Sequence, residues 1–526
     1  MVRGMLTVGV WTMASRVLGF ARDILIAAWL GAGPVADAFF VANRLPNLFR
    51  RLFGEGAFNA AFVPAFSALL ATEGRPAAQA FAEQAASVMA FWLLGLTVLA
   101  EIFMPQVLAV IAPGFAAIPE KFTLAVELSR IAFPYMPLIC LTALFSGVLN
   151  GLDRFAAAAA APIFYNLICI AFMFALRGMV PTLGHALAWG VSVSGVVQLA
   201  LVTWAVRGAG MRITLPRPRL TPDVRILLRR MMPGLLGAGV TQLNLSVDVI
   251  IGSLLPPGTV SILYYADRVN QLPLGTIGAA VGTALLPTLS RQVHGANPRE
   301  AVGTLNRAIE YALLLTLPAA LALIVARAPI IEVLFGRGAF GAVAAFKSAQ
   351  ALAAYAVGLP AFVVVKVLVP AFFARGDTVA PVRVGIAAVG LNLALNLAFM
   401  TPLEHLGPPL ASAVAAWANV VVLIAILVRR GHFAIDAPLG RRLPRMLAAS
   451  AVMVAVLWGL RETLFAALDT GSGFGLRWLG LGLLVGGGLA AYGLAGQVFG
   501  AFDMREIVAR LRPRRHAAVR GVTRRG

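Results

Sequence analysis

The sequence predicts an all-α polytopic membrane protein of fourteen transmembrane helices: two six-helix lobes related by a pseudo-two-fold axis along the membrane normal, and two extra C-terminal helices. Three observations predict it. Hydrophobic residues make up 60% of the 526 and charged residues 12%, with a mean hydropathy of +0.87, outside the range of soluble domains. Apolar runs of roughly twenty residues, the length that crosses a hydrocarbon core, recur from end to end. The chain also reads twice, its first 215 residues being echoed by the stretch from 216 to 435.

Backbone groups in lipid must be satisfied within the segment, so the spans are helices; a barrel would show short alternating segments. The first, Met5 to Leu30, carries Arg16 and Arg22 and lacks a small-residue cleavage site, so it reads as a mature helix rather than a signal peptide. Gly31 to Pro34 turns the chain into an irregular second span, Val35 to Phe66, interrupted by Pro46, Gly54 and Gly56. Ala80 to Ile111 and Thr123 to Leu149 follow. The turn Gly151-Leu-Asp-Arg-Phe155 leads to Ala156 to Leu176, and Leu183 to Val206 closes the first copy. Beyond a basic, Pro-rich link come Ile226 to Leu255, Thr259 to Leu289, Val302 to Ala326, Ala342 to Phe373, Val379 to Met400 and Pro408 to Val428. Leu443 to Leu460 and Leu476 to Phe499 have no counterpart in the first copy.

The matches behind the repeat are specific. Ala61-Phe-Val-Pro-Ala-Phe-Ser67 is echoed by Ala284-Leu-Leu-Pro-Thr-Leu-Ser290, and the run from Pro105 to Phe115 by that from Pro329 to Phe340. An even number of helices per copy keeps both in one orientation, which places a substrate site between lobes that rock against each other. The expected domains are residues 1–215, 216–435, 436–500 (the added pair, either a groove for a lipid tail or a merely stabilising pair) and a basic tail, 501–526. The net charge of +21 lies largely in alternate loops, such as Arg207 to Arg230 and Arg429 to Arg445. That is a topology signal with both termini cytoplasmic, rather than a nucleic-acid footprint. Cys140 and Cys169 have no metal-ligand spacing and read as buried thiols.

Function is legible in charges placed where they are costly. Arg16, Arg22, Asp23, Asp37, Arg44, Arg50, Arg51 and Glu55 all fall in the first two spans, and ionisable groups at that depth usually face a water-filled cavity or a partner. Basic residues outnumber acidic ones, which points to an anionic substrate. Arg16 and Asp23 share a helix face with Gly19 between them. Pro46 is expected to break the second span so that it lines a cavity. The corresponding stretch of the second copy, Tyr264 to Pro273, brings Asp267 and Arg268 from the opposite side. Four arginines, Arg16, Arg22, Arg50 and Arg268, suit a diphosphate, because guanidinium groups fork onto phosphate oxygens and never deprotonate. Lys366 either joins them, pairs or snorkels. Asp248 and Asp377 are candidate carboxylates for a coupling cation; alternatively Asp248 pairs with Asn244 and Asp377 caps a helix. No enzyme motif is present.

The motifs Ser15-Arg-Val-Leu-Gly-Phe-Ala-Arg-Asp23, Ala36-Asp-Ala-Phe-Phe-Val-Ala42, Leu45-Pro-Asn-Leu-Phe-Arg-Arg51, Glu55-Gly-Ala-Phe58 and Tyr264-Tyr-Ala-Asp-Arg268 closely resemble the MurJ (MviN) family of lipid II flippases, within the MOP exporter superfamily. Val333-Leu-Phe-Gly-Arg-Gly-Ala-Phe340 and Val365-Lys-Val-Leu368 extend the resemblance. It implies transport of lipid II, an undecaprenyl-diphosphate-linked peptidoglycan precursor, from the cytoplasmic to the periplasmic leaflet of the bacterial inner membrane. The implied partners are lipid II, membrane lipids and other cell-wall synthesis proteins, with no nucleic acid. By motif position Arg16, Arg22, Arg50 and Arg268 bind substrate, and Asp23, on the same helix as Arg16 and Arg22, is expected to join them. Asp37, Arg51, Glu55, Asp267 and Lys366 are gate or structural charges. Asp248, Asp377 and Val389 occupy positions of a sodium site in some members, although Phe373 and Leu393 stand where polar ligands would complete it, leaving membrane potential as the other driving force. The rival readings are a MATE-like cation-coupled drug antiporter, expected to have an acidic cavity, and a non-transporting scaffold of cell-wall assembly.

Overall fold

A computed structural model of the chain describes residues 2–51, 57–295, 298–465 and 474–502. All regular structure among these residues is helical. In chain order the helices are α1 (Val2–Leu30), α2 (Pro34–Phe49), α3 (Ala57–Thr72), α4 (Arg75–Ile102), α5 (Met104–Ile111), α6 (Pro119–Ala132), α7 (Tyr135–Gly151), α8 (Ala156–Ala175) and α9 (Leu183–Gly208). They continue as α10 (Pro222–Leu254), α11 (Thr259–His294), α12 (Pro298–Val325), α13 (Arg327–Phe335), α14 (Ala342–Phe373), α15 (Val379–Phe399), α16 (Gly407–Arg429), α17 (Ala437–Leu460) and α18 (Phe474–Phe499).

Ten stretches among the described residues are long and apolar enough to cross a membrane, which makes this a multi-pass membrane protein. The four expected spans outside that set run through α1, the α2–α3 pair, α10 and α11.

Two expected spans are divided. The third is α4 followed by the short α5, with Phe103 between them and Pro105 in the first turn of α5. The fourth is split at Phe133-Pro134 into α6 and α7. The ninth, Val302 to Ala326, is α12 undivided, and the short α13 follows it. A proline ring leaves a main-chain carbonyl without its N–H partner, yet hydropathy averaged along the run is unchanged by it. The long-then-short pattern of α4–α5 recurs in α12–α13, at the positions the sequence repeat pairs. The halves differ where Pro134 separates α6 from α7, whereas α14 runs unbroken through Pro360.

The packing order positions the site. In the first half α1 lies on α8, α8 on α9, α7 on α9, and α2 on α6. In the second, α11 lies on α14, α14 on both α12 and α16, and α15 on α16. α17 packs on α12 and α18, outside that set. In lipid the hydrophobic effect no longer drives helices together, so close packing and interhelical hydrogen bonds hold such a bundle.

Candidate functional site

A cavity of about 820 Å³ opens between helices of the two halves, walled by α1, α2, α7, α8 and α9 on one side and by α10, α11, α14, α15 and α16 on the other. Seven basic side chains line it, Arg16, Arg22, Arg44, Arg50, Arg51, Arg268 and Lys366, against two acidic ones, Asp248 and Asp267. The structure therefore gathers the expected arginines of α1 and α2 with Arg268 of α11 around one space. Glu55 lies outside the described residues.

Asp23 is the correction. Expected to touch substrate, it is fully buried behind the wall. Arg22 Nη2 lies 2.7 Å from its Oδ1, Arg268 Nε 2.5 Å from its Oδ2, and the Tyr264 hydroxyl donates to Oδ1 at 3.3 Å. The guanidinium of Arg22 also sits over the Tyr165 ring, 5.1 Å from its centroid, a favourable cation–π placement. One carboxylate thus orients two guanidinium groups, one from each half of the chain. The pair neutralises one of the two charges and leaves the other to the cavity.

Gly19 makes this approach possible. A Cβ there would lie 3.0 Å from Arg268 Nη2 and 3.4 Å from Asn166 Nδ2. An alanine would require those ends to give slightly; a bulkier chain would fill the place of the Arg268 guanidinium. Gly19→Leu is accordingly expected to lower complementation of a strain depleted of the native protein by at least tenfold in plating efficiency while membrane levels stay normal. Wild-type complementation would show that the Arg268 approach is dispensable.

Pro46 does not break the second span. α2 passes through it to Phe49 and changes to π-helix at Arg50 and Arg51. The Asn47 amide donates to the main-chain and side-chain oxygens of Asn43, at 2.8 and 3.1 Å, which keeps this turn closed around the proline. Arg50 Nε then donates to Asn47 Oδ1 at 3.0 Å. The asparagines thereby fix the direction in which Arg50 enters the cavity.

Asp37 lies elsewhere, at the end of the bundle where α1 meets α2 and α10 meets α11. It accepts from Lys121 Nζ at 2.7 Å, the Gly258 N–H at 2.7 Å, the Ser261 N–H at 2.8 Å and the Ser261 hydroxyl at 2.6 Å. The two halves meet here backbone to backbone. Gly338, with φ +59°, packs against the Ala28 carbonyl, and the Ala339 N–H donates to that carbonyl at 2.8 Å. No side chain fits in that contact, and the left-handed φ favours glycine independently.

The three candidate sodium ligands do not converge. Asp248 and Val389 line the cavity, where the Ser412 hydroxyl donates to both Asp248 oxygens, at 3.1 and 3.0 Å. Asp377 instead caps α15 by accepting from the Val379 and Ala380 N–H groups, and it pairs with Arg430 at 2.5 Å. The Ala380 N–H and then Arg430 hold its carboxyl below the usual carboxylate range. Val389 is twelve residues beyond Asp377 and ten beyond Val379, the first residue of α15, which puts it about 15 Å along the helix at 1.5 Å per residue. Lys366 and Asp267 both face the cavity, Asp267 accepting from Gln271.

Sequence reading missed the uncharged part of the wall: Tyr165, Asn166, Gln198, Asn270 and Asn419. A lone amide in an apolar helix gives no signal that separates a cavity position from a helix contact.

The family described as Lipid II flippase MurJ matches residues 26–476. A probable lipid II flippase MurJ of Rhizobium meliloti (strain 1021) is 45% identical over 497 residues, spanning 94% of this chain and 92% of that relative. The lipid II flippase MurJ of Burkholderia cenocepacia is 36% identical over 435 residues, 82% of this chain and 84% of its own. A solved lipid II flippase MurJ in an inward closed conformation has the same fold, with a TM-score of 0.76 at 23% identity over 96% of this chain and 100% of that one. An inward-facing multidrug resistance MATE family transporter of the MOP superfamily reaches 0.65 at 17% identity, over 81% and 97%.

Proposed function

The chain belongs to the lipid II flippase MurJ family, and on that premise we propose that it moves lipid II from the cytoplasmic to the periplasmic leaflet of the bacterial inner membrane. One observation carries the reading: seven basic side chains against two acidic ones around a cavity walled by both halves of the chain. Guanidinium groups on α1, α2 and α11 receive the diphosphate while the prenyl tail stays in lipid, along α17 and α18. The fourteen spans form two six-helix lobes with these two helices added, and both termini are cytoplasmic. Rocking of the lobes exposes the cavity to each side in turn, and the end closed around Asp37 and Gly338 is periplasmic.

Membrane potential supports the cycle without a bound cation. With the inside negative, outward movement of each phosphate charge is favoured by about 2.3 kcal/mol per 100 mV. The emptied, net-basic cavity is drawn inward by the same field. This reading asks nothing of Asp377, which is engaged by Arg430 and the α15 N-terminus.

A cationic-drug antiporter would have to bring its substrate against the basic wall, at a cost in like-charge repulsion. A scaffold has no use for a buried Asp23 that orients two arginines towards an open space. The deciding experiment follows the leaflet distribution of lipid II after rapid inactivation of this protein in cells. Accumulation in the cytoplasmic leaflet within one generation is expected; an unchanged distribution would overturn the proposal.

A further inference from the structure

Arg22 and Arg50 stand on different helices, α1 and α2, yet a continuous set of contacts through α8 joins them. Arg22 is held on its edge by Asp23, whose Oδ1 accepts from Nε at 3.1 Å and from Nη2 at 2.7 Å, and on its face by Tyr165, with 5.1 Å from the guanidinium carbon to the ring centroid. Nη1 is the nitrogen these contacts leave for a ligand. The Tyr165 hydroxyl donates to Asn43 Oδ1 at 3.1 Å, the Asn47 amide donates to that same oxygen at 3.1 Å, and Arg50 Nε donates to Asn47 Oδ1 at 3.0 Å. All five residues line the cavity.

The chemistry of its far end fixes the direction of every bond in this chain. A guanidinium only donates, so Asn47 must turn its oxygen to Arg50, which leaves Nδ2 for Asn43 one helical turn earlier. Asn43 must then present its oxygen, and the tyrosine hydroxyl, able to donate or accept, donates to it. Reversing either amide would set two N–H donors face to face. Docking of α8 on α1 does not depend on this hydroxyl, because the neighbouring Asn166 amide donates to the Ser15 carbonyl at 3.1 Å.

We propose that Tyr165 is a positioning residue that couples Arg22 and Arg50 into one phosphate clamp. Its ring backs the first guanidinium, and its hydroxyl, through Asn43 and Asn47, sets the direction of the second. This rests on the flippase reading and deepens it. A free arginine side chain gives up rotamer freedom when it closes on a ligand, and restraining it beforehand removes that cost from binding. A diphosphate, which offers a phosphate to each of two guanidinium groups, gains from having both restrained together.

The test uses the full-length protein in lipid nanodiscs, with lipid II as the probe and native mass spectrometry as the readout of binding. Tyr165→Phe keeps the ring against Arg22 and removes only the hydroxyl. It is expected to weaken lipid II binding roughly fivefold, but by less than about twofold when Arg50→Ala is already present, because the hydroxyl acts through Arg50. Asn43→Ala cuts the same bridge from its other side and should show the same dependence on Arg50, so the test stands where one of the two variants does not reach the membrane. Tyr165→Leu removes the ring as well and should weaken binding in both backgrounds. Equal losses from Tyr165→Phe with and without Arg50, the mark of a general packing effect, or no loss with Arg50 present, would overturn the coupling while leaving the flippase reading in place. Failure of the wild-type protein to bind lipid II would overturn both.

Discussion

Arg268→Ala is expected to abolish growth rescue of a flippase-depleted strain at normal membrane levels of the variant. Arg268 is two-thirds buried in its side chain, and its Nε lies 2.5 Å from Asp23 Oδ2. Truncating it removes one guanidinium from the wall facing α1 and releases the ion pair that ties α11 to α1. The loss of one charge-assisted contact amounts to roughly 1.5–3 kcal/mol, which is tenfold or more in binding; Arg22 and Tyr264 still hold Asp23, so folding is expected to survive. Two roles for Arg268 can be separated by a double-mutant cycle. If it served only to neutralise Asp23, Asp23→Ala combined with Arg268→Ala would recover activity relative to Arg268→Ala alone. If its charge is needed for the diphosphate, the double variant stays inactive. Full rescue by Arg268→Ala would remove the cavity assignment altogether.

Much of this was open to inspection in the sequence, for a physical reason. An arginine in an apolar run costs free energy wherever it faces lipid, so Arg16, Arg22, Arg50 and Arg268 announce a polar interior by their presence. The repeat was legible because prolines such as Pro105 and Pro329 initiate the short helices α5 and α13 at equivalent places. Depth was not legible. Helical spacing fixes the face on which Asp23 lies, but not whether that face reaches the cavity or stops behind Arg22. Lys121, the buried partner of Asp37, lies 84 residues away in sequence, and a lysine near the end of an apolar run reads as a solvated flank. Gln198 and Asn270 were hidden for the opposite reason to the arginines: a neutral amide is cheap enough within a helix bundle to serve in ordinary packing. The break at Phe133-Pro134 was invisible because hydropathy does not record main-chain direction.

Asp37→Ala is expected to unlatch the closed end of the bundle. The carboxylate gathers four donors from α6 and from the first turn of α11 with its preceding residue, all within 2.6–2.8 Å, and is itself fully buried. Its removal strands Lys121, which is 4% exposed, and breaking a buried pair on one side costs about 3–5 kcal/mol. An equilibrium moves from 1:99 to 99:1 for about 5.5 kcal/mol, so a penalty of this size confined to the closed form moves the population most of that way. Thr259, 4% exposed beside Gly258, reports on it. In a Thr259→Cys protein whose native thiols are removed by Cys140→Ala and Cys169→Ala, labelling by a membrane-impermeant maleimide should accelerate at least tenfold when Asp37→Ala is added. Adding Lys121→Met to that background removes the stranded charge and is expected to slow labelling again, though not to the original rate, because Gly258 and Ser261 still lack their acceptor. Unchanged labelling in the Asp37→Ala protein would mean that backbone contacts such as Gly338 against Ala28 hold this end by themselves. If instead the end opens and growth rescue is lost, then Asp37 supplies the reclosure on which each transport cycle depends.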